Sequence, residues 1–472
     1  MIIEQIYTGC LAQGAYYVES NGEAVVIDPL REVNAYLERA AESGAKIKYV
    51  LETHFHADFV SGHIDLSNKT GAPIVYGPNA NPSFEAHIAK DGEKFQVGDL
   101  TLEVLHTPGH TMESTCYLLY DAAGNAKALF SGDTLFIGDV GRPDLAQKAA
   151  SLTQEQLAET LFDSLRNKIM PLPNDVTVYP AHGAGSACGK NMSKETFDSL
   201  GNQKETNYAL RPDMTKAEFV KEVTTGLMPP PAYFPLNVSM NKHGYDSIDE
   251  VLKRGTHALS PRAFEVAANE TGALILDTRD QQEFAKGFVP NSINIGIDGS
   301  FAPWVGALIP DVKQELLIIT EPGREAEVVT RLARVGYDYC IGYLEGGYEA
   351  WKKDGFETDS IQSIDSAQLA DILKEQPDAY ILDVRKKSEY DSEHMVGAYN
   401  GPLDDVNQVM ASVPKDKTVY VHCAGGYRSM IFASILRARG YDNLIDVAGG
   451  FKAMKESEKF ELTEYVCPST LL

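Results

Sequence analysis

The stretch THFHADF, Thr53 to Phe59, sets His54, His56 and Asp58 at alternate positions. Nitrogen and oxygen donors this close together suit zinc or iron, and a spacing of two puts His54 and His56 on one side if the backbone is extended. Three further donors follow: His110 in TPGHTMES, Asp133 in FSGDTLF and His182 in VYPAHG. A lone HxH is weak; HxHxD followed by PGH and SGD, each after an apolar run, is a strong metal pattern. The next position after Asp58 is Phe59, whose ring cannot bind a metal.

A second kind of chemistry lies near the other end. In VYVHCAGGYRS, Val419 to Ser429, an apolar run ends at Cys423 and is followed by Gly425, Gly426, Arg428 and Ser429. Such a loop wraps backbone N–H groups around a sulfur and sets a helix N-terminus behind it, which favours a thiolate or persulfide. An earlier counterpart, IITEPGREA (Ile318 to Ala326), has Arg324 and Glu321 but no cysteine. The two loops belong to an internal repeat. ALILDTRDQQEF and AYILDVRKKSEY match, so that Asp277, Arg279 and Glu283 recur as Asp383, Arg385 and Glu389. The repeat predicts two compact α/β domains, 256–356 and 361–472, each with a largely parallel sheet, the first without its nucleophile and therefore catalytically silent. Cys340 is expected in the core.

The elements that must position these residues are strands that end at them. KIKYVLETH, LEVLHTPGH, KALFSGDTLF and DVTVYPAH each read as a strand delivering a donor into a loop, and the donors converge if the strand ends share one sheet edge. REVNAYLERAAESG reads as a helix closed by glycine. Residues 193–225 read as helical, MPPPAYFP (Met228 to Pro235) as a helix stop, and Lys242 to His257 as a linker. The chain's 472 residues suit two or three domains. A formal charge of −25 gives a surface that repels nucleic acid backbones and anionic membranes, leaving room only for a local basic pocket. Six scattered cysteines without a CxxC pair, and no signal-like or membrane-long apolar stretch, predict a cytoplasmic protein. A homo-oligomer is expected from general frequency alone.

Over residues 1–245 the metal motifs resemble the metallo-beta-lactamase superfamily, whose fold is an αββα sandwich. Its two-metal members, including glyoxalase II-like thioester hydrolases, carry HxHxDH, and Phe59 departs from that pattern. The chain is most similar to the persulfide dioxygenase branch. That resemblance implies one Fe(II) per chain held by His54, His110 and Asp133, with His56, Asp58 and His182 beside the metal or lining its pocket. Arg142, in GDVGRPDL, is then expected to contact the anionic group of a thiol carrier. The Cys423 unit resembles a rhodanese domain, with Cys423 as persulfide carrier, Arg428 as its cationic partner, Gly425, Gly426 and Ser429 shaping the loop, and Asp383, Arg385, Glu389 and His394 in support. The expected architecture is multidomain α/β, a metallo-beta-lactamase sandwich followed by two rhodanese-like domains.

The combined resemblance implies oxidation of a low-molecular-weight persulfide, of glutathione, coenzyme A or bacillithiol type, by O2 to sulfite and thiol. A rhodanese step that makes or uses thiosulfate would accompany it, as in bacterial fusions that detoxify sulfide. The alternatives are a glyoxalase II-like dinuclear thioester hydrolase with a fused rhodanese, and a non-catalytic sulfur carrier or redox-sensing scaffold.

Overall fold

A computed structural model describes residues 1–147 and 151–467, so the last five residues of the expected 361–472 domain lie outside the described ones. The chain forms two compact units, Met1–Ile248 with Ala333–Gly336, and Asp249–Leu332 with Tyr337–Leu472.

The first unit is built on two six-stranded sheets. One takes the strands in chain order: Ile2–Thr8, Gln13–Ser20, Glu23–Ile27, Lys46–Leu51, Ile74–Tyr76 and His87–Ile88. The other orders Asp198–Ser199, Thr177–Pro180, Ala126–Gly132, Thr115–Tyr120, Leu100–His106 and Lys94–Val97. Alternate side chains face alternate sides of each strand. Accordingly Tyr16, Val18, Val25 and Ile27 of the first sheet meet Leu102, Val104, Leu119 and Phe130 of the second in a shared core. On the outer face of the first sheet, Ala24, Val26 and Val50 pack against Tyr36 and Ala40 of the helix Asn34–Ser43. On the outer face of the second, Leu118, Leu129 and Val178 pack against Ala158 and Leu161 of the helix Gln154–Ser164. The layers are therefore helix, sheet, sheet, helix.

Strand direction explains the convergence of the metal-type residues. Thr177–Pro180 runs parallel to Ala126–Gly132, while Leu100–His106 and Ala126–Gly132 are both antiparallel to Thr115–Tyr120. Three strands of the second sheet thus end on the same side, just before His110, Asp133 and His182.

Within the second unit, two five-stranded sheets repeat one topology. The sheet containing Leu274–Asp277 and Leu316–Ile319 is parallel throughout, as is the one containing Tyr380–Asp383 and Val419–His422. Leu316–Ile319 is buried along its whole length, the pattern of a parallel strand covered on both faces.

Three sequence expectations need correction. Residues 193–225 are not one helical stretch, because a short strand, Asp198–Ser199, precedes separate helices at Leu200–Thr206 and Lys216–Thr224. Pro235 does not stop a helix; it sits in the first turn of Phe234–His243, where a missing N–H costs nothing. The expected linker contains the helix Ile248–Gly255, with Ile248 and Val251 buried. Its Asp249 and Glu250 lie in the first turn and Lys253 and Arg254 in the last, in keeping with the helix dipole. No helix among the described residues is long and apolar enough to cross a membrane.

Candidate functional site

The first unit gathers His54, His110 and Asp133, each at most 2% exposed, with their donor atoms mutually within 4.8 Å. Their orientation is set by hydrogen bonds on the far side of each group. Asp28, at the end of Glu23–Ile27, accepts the Thr53 N–H at 2.8 Å and the Thr53 hydroxyl at 2.8 Å. The Thr53 oxygen, its own hydrogen committed to Asp28, is then free to accept from His54 Nδ1, 3.0 Å away. His110 Nδ1 donates to the Arg142 carbonyl at 2.8 Å. Both imidazoles are thereby left with a lone pair on Nε2, and these nitrogens lie 3.7 and 3.5 Å from Asp133 Oδ2. That oxygen has no hydrogen-bond partner, although it is buried.

Three lone-pair atoms converging without a donor among them would repel one another. A divalent cation satisfies all three, and imidazole held by an oxygen on its other nitrogen is the usual form of a metal ligand. The residues therefore fit a metal. Two glycines let the backbone close on the site. Gly132 has φ +52°, and a Cβ there would stand 2.7 Å from the Thr53 side chain; at Gly141 it would meet the Asp133 carbonyl at 2.0 Å. From below, Ser164 of Gln154–Ser164 donates to the Pro108 carbonyl at 2.7 Å and fastens the His110 loop.

His182 and Asp58 adjoin this group. His182 Nδ1 is 2.8 Å from Asp133 Oδ1, and its Nε2 is 2.8 Å from Asp58 Oδ2. Burial alone would lower the His182 pKa, but the flanking Asp133 and Asp58 carboxylates raise it well above the ordinary value. Burial alone would likewise raise Asp133, yet the facing His182 and His54 hold it far below the ordinary carboxylate range. Cys188 joins Asp58 and His182 as a second cluster of metal-type donors, all buried. Its thiol is pushed well up by burial and then by Asp58, so it remains protonated unless a metal displaces the proton.

His56 is not among the donors that converge with His54, His110 and Asp133, although its ring adjoins that of His54. Its Nε2 lies 3.1 Å from Asp28 Oδ1 and 3.7 Å from Glu52 Oε2, forming a separate buried group. Residues 52–60 bend instead of running as a strand, and the His56 ring stays beside that of His54, centroids 4.2 Å apart, while its Nε2 is taken up by Asp28 and Glu52. Phe59 is fully buried, its ring centroid 4.4 Å from that of His56 and 6.4 Å from that of His182.

Arg142 also departs from expectation. It is 6% exposed and makes a bidentate pair with Asp144, both bonds 2.7 Å, plus bonds to the Ala187 and Met228 carbonyls. With its donors directed into the protein, the expected contact with a carrier anion is withdrawn; Arg142 acts through its backbone, as acceptor for His110.

In the second unit, Cys423 follows the strand Val419–His422 and is 1% exposed. The Gly426 N–H donates to its sulfur at 3.1 Å, and Gly426, with φ +101°, immediately precedes the helix Tyr427–Ala438. Gly425 is exposed at the loop tip. Arg428 pairs with Glu389 at 2.6 and 2.8 Å. Burial alone would lower its pKa, but Glu389 and then Cys423 raise it, so the guanidinium stays charged beside the loop. Ser429 turns away from the sulfur and donates to Asp446 at 2.7 Å. Asp383 and Arg385 form a buried pair at 2.6 Å, with the guanidinium 4.0 Å over the Phe451 ring; His394 Nδ1 bonds the Tyr390 carbonyl.

The first repeat reproduces this support, Arg279 pairing with Asp277 at 2.6 Å. After its strand Leu316–Ile319, however, the residue in the place of Cys423 is Thr320. Arg324 pairs with Asp298 and Glu327, and Cys340 is fully buried, its thiol pushed up to about 12 by burial. Asp28, Glu52 and Cys188 lie outside the motifs that marked the site. Only the glycine-rich run around Cys188, six residues after His182, offered a signal.

Comparison with known proteins agrees with these two folds. Residues 8–182 match the metallo-beta-lactamase superfamily, and residues 260–354 and 365–457 match the rhodanese-like domain. A crystal structure of a metallo-beta-lactamase from Staphylococcus aureus subsp. aureus COL is similar, with a TM-score of 0.64 and 31% identity. The match covers 72% of this chain and 98% of that one. The chain belongs to the metallo-beta-lactamase superfamily and carries two rhodanese-like domains in addition.

Within that superfamily, relatives of two activities stand equally near. One is the human mitochondrial persulfide dioxygenase ETHE1, 35% identical over 164 residues, or 34% of this chain and 59% of the relative. Another is the probable hydroxyacylglutathione hydrolase glo2 of Schizosaccharomyces pombe, 32% identical over 160 residues, or 33% of this chain and 57% of the relative. The chain spans about three fifths of the length of the first curated relatives it matches.

Proposed function

We propose that the protein is a non-haem iron persulfide dioxygenase joined to a rhodanese sulfurtransferase. The observation that carries this reading is the convergence of the His54, His110 and Asp133 donor atoms as a three-donor group, with the His56 Nε2 turned to Asp28 and Glu52 and a phenyl ring at position 59. Two imidazoles and one carboxylate would hold a single Fe(II) with positions left for dioxygen and a sulfur, and the iron would supply the redox chemistry that closed-shell zinc lacks. The balanced reaction is RSSH + O2 + H2O → RSH + SO3²⁻ + 2H⁺.

The chain's own groups have defined tasks in it. Thr53 and the Arg142 carbonyl orient the two histidines; Asp58 and Asp133 keep a proton on His182 beside the site. At the other centre, Cys423 carries a sulfane sulfur. Its attack by sulfite breaks the S–S bond: Cys423–S–SH + SO3²⁻ → Cys423–SH + S2O3²⁻. Excess thiosulfate drives the reverse. The substrate is a small-thiol persulfide of glutathione, coenzyme A or bacillithiol type, and six free cysteines agree with a reducing, cytoplasmic setting and no dedicated disulfides.

A second reading, a dinuclear thioester hydrolase, is favoured by the Asp58, His182 and Cys188 cluster beside the first and by the hydroxyacylglutathione hydrolase relatives. Metal analysis of anaerobically purified protein separates the two. One ferrous ion per chain supports the dioxygenase; two zinc ions per chain with oxygen-independent thioester turnover would replace it by the hydrolase.

A further inference from the structure

The helix behind Cys423 is buried along Ser429–Leu436, more than an amphipathic helix lying on its own sheet requires. Part of that cover comes from the domain that lacks the cysteine. The Asn294 N–H donates to Ser434 Oγ at 2.9 Å, and Asn294 is fully buried. Tyr427, the first residue of the helix, donates its hydroxyl to the Gly296 carbonyl at 2.7 Å. Its ring fills a slot opened by two glycines: a Cβ at Gly299 would stand 2.4 Å from the ring, and one at Gly296 3.3 Å. Ser429 is tied to the same domain at one remove, because its acceptor Asp446 also accepts from Gln282 Nε2 at 3.1 Å.

The first turn of the helix is therefore held at Tyr427 and Ser429, on either side of Arg428. Gly426, whose N–H faces the Cys423 sulfur, is the residue adjoining Tyr427. We propose that the cysteine-free rhodanese-like domain is a positioning support for Cys423, its Gly296–Gly299 slot clamping Tyr427 and so fixing the Gly426 N–H on the sulfur. Tyr427, Gly299 and Gln282 act through the loop and do not touch the transferred sulfur. The absence of a nucleophile from that domain then has a counterpart in what the domain does. The use of this support rests on the reading of Cys423 as sulfur carrier, but its effect on the thiol does not.

The test uses the full-length reduced protein and follows alkylation of Cys423 by iodoacetamide against pH, read by peptide mass spectrometry, with exposed Cys467 as internal reference. Gly299→Ala wedges the ring out of its slot. It is expected to move the Cys423 profile to higher pH and slow alkylation at pH 7 about fivefold, leaving Cys467 unchanged. Tyr427→Phe keeps the ring, loses one hydrogen bond and should show a smaller shift in the same direction. If Gly299→Ala does not fold, Tyr427→Phe alone decides. Wild-type Cys423 profiles in the folded variants would overturn the proposal. Failure of the sulfur-carrier reading looks different: wild-type protein would take no sulfane sulfur from thiosulfate, while the alkylation shift would still appear.

Discussion

An imidazole that binds a metal through one nitrogen needs an acceptor for the proton on the other. His54 and His110 each have one, Thr53 Oγ1 and the Arg142 carbonyl, whereas His56 aims Nε2 at Asp28. On this basis His110→Ala is expected to abolish metal retention, while His56→Ala should still bind close to one metal per chain by elemental analysis. Equal loss in both variants would show that His56 is a ligand. Thr53→Val removes the acceptor for His54 and one of the bonds to Asp28. Metal affinity measured by chelator competition should fall about 10–100-fold. The donors themselves were legible from HxHxD, PGH and SGD, but the division among them was not. The spacing of two in HxH does set the two rings side by side, 4.2 Å between centroids, but it does not say which nitrogens meet the other donors. Asp28, 26 residues before His54, engages the His56 Nε2 through a contact that no local pattern encodes.

At the scale of elements, four apolar runs ending in donors correctly marked four strands, Lys46–Leu51, Leu100–His106, Ala126–Gly132 and Thr177–Pro180. Proline misled where its position within an element mattered, since Pro235 begins a helix as readily as it ends one. The turn at the end of Ala126–Gly132 is the most constrained of these junctions. Gly132→Ala combines a left-handed φ of +52° with a clash against Thr53, and should lower stability by about 1–3 kcal/mol. The same variant should weaken metal binding, because Asp133 is the next residue.

The helix His63–Thr70 supplies a pH dependence. His63 is buried against the Phe84 and Tyr76 rings, and its pKa is pushed down to about 3, by burial first and then by His56 and Arg31. The folded value lies below the ordinary 6.5, so between these pH values the unfolded chain binds a proton the folded one refuses. The His63 contribution is complete above pH 6.5 and is lost as pH falls toward 3. Glu52, raised by burial and by Asp28, opposes it from the other side. His63→Phe should therefore show a smaller drop in Tm between about pH 7 and 5 than wild type in a thermal-shift series. An unchanged drop would place the acid sensitivity elsewhere.

Across the whole molecule, the proposed function pairs an oxygen-consuming centre with a sulfur-transferring thiol on one chain, and sulfite would then be the natural exchange between them. The repeat in the sequence disclosed both rhodanese-like domains and the missing cysteine of the first. It could not disclose the glycine slot, because Gly296 and Gly299 gain meaning only from a tyrosine more than a hundred residues away. On the proposed function, Cys423→Ser should separate the two activities, ending thiosulfate formation without slowing dioxygen consumption. The most direct test of the central claim is dioxygen uptake by this variant, loaded with one ferrous ion per chain, on addition of glutathione or coenzyme A persulfide. The account predicts one O2 consumed and one sulfite formed per persulfide; no uptake with any small-thiol persulfide would contradict it.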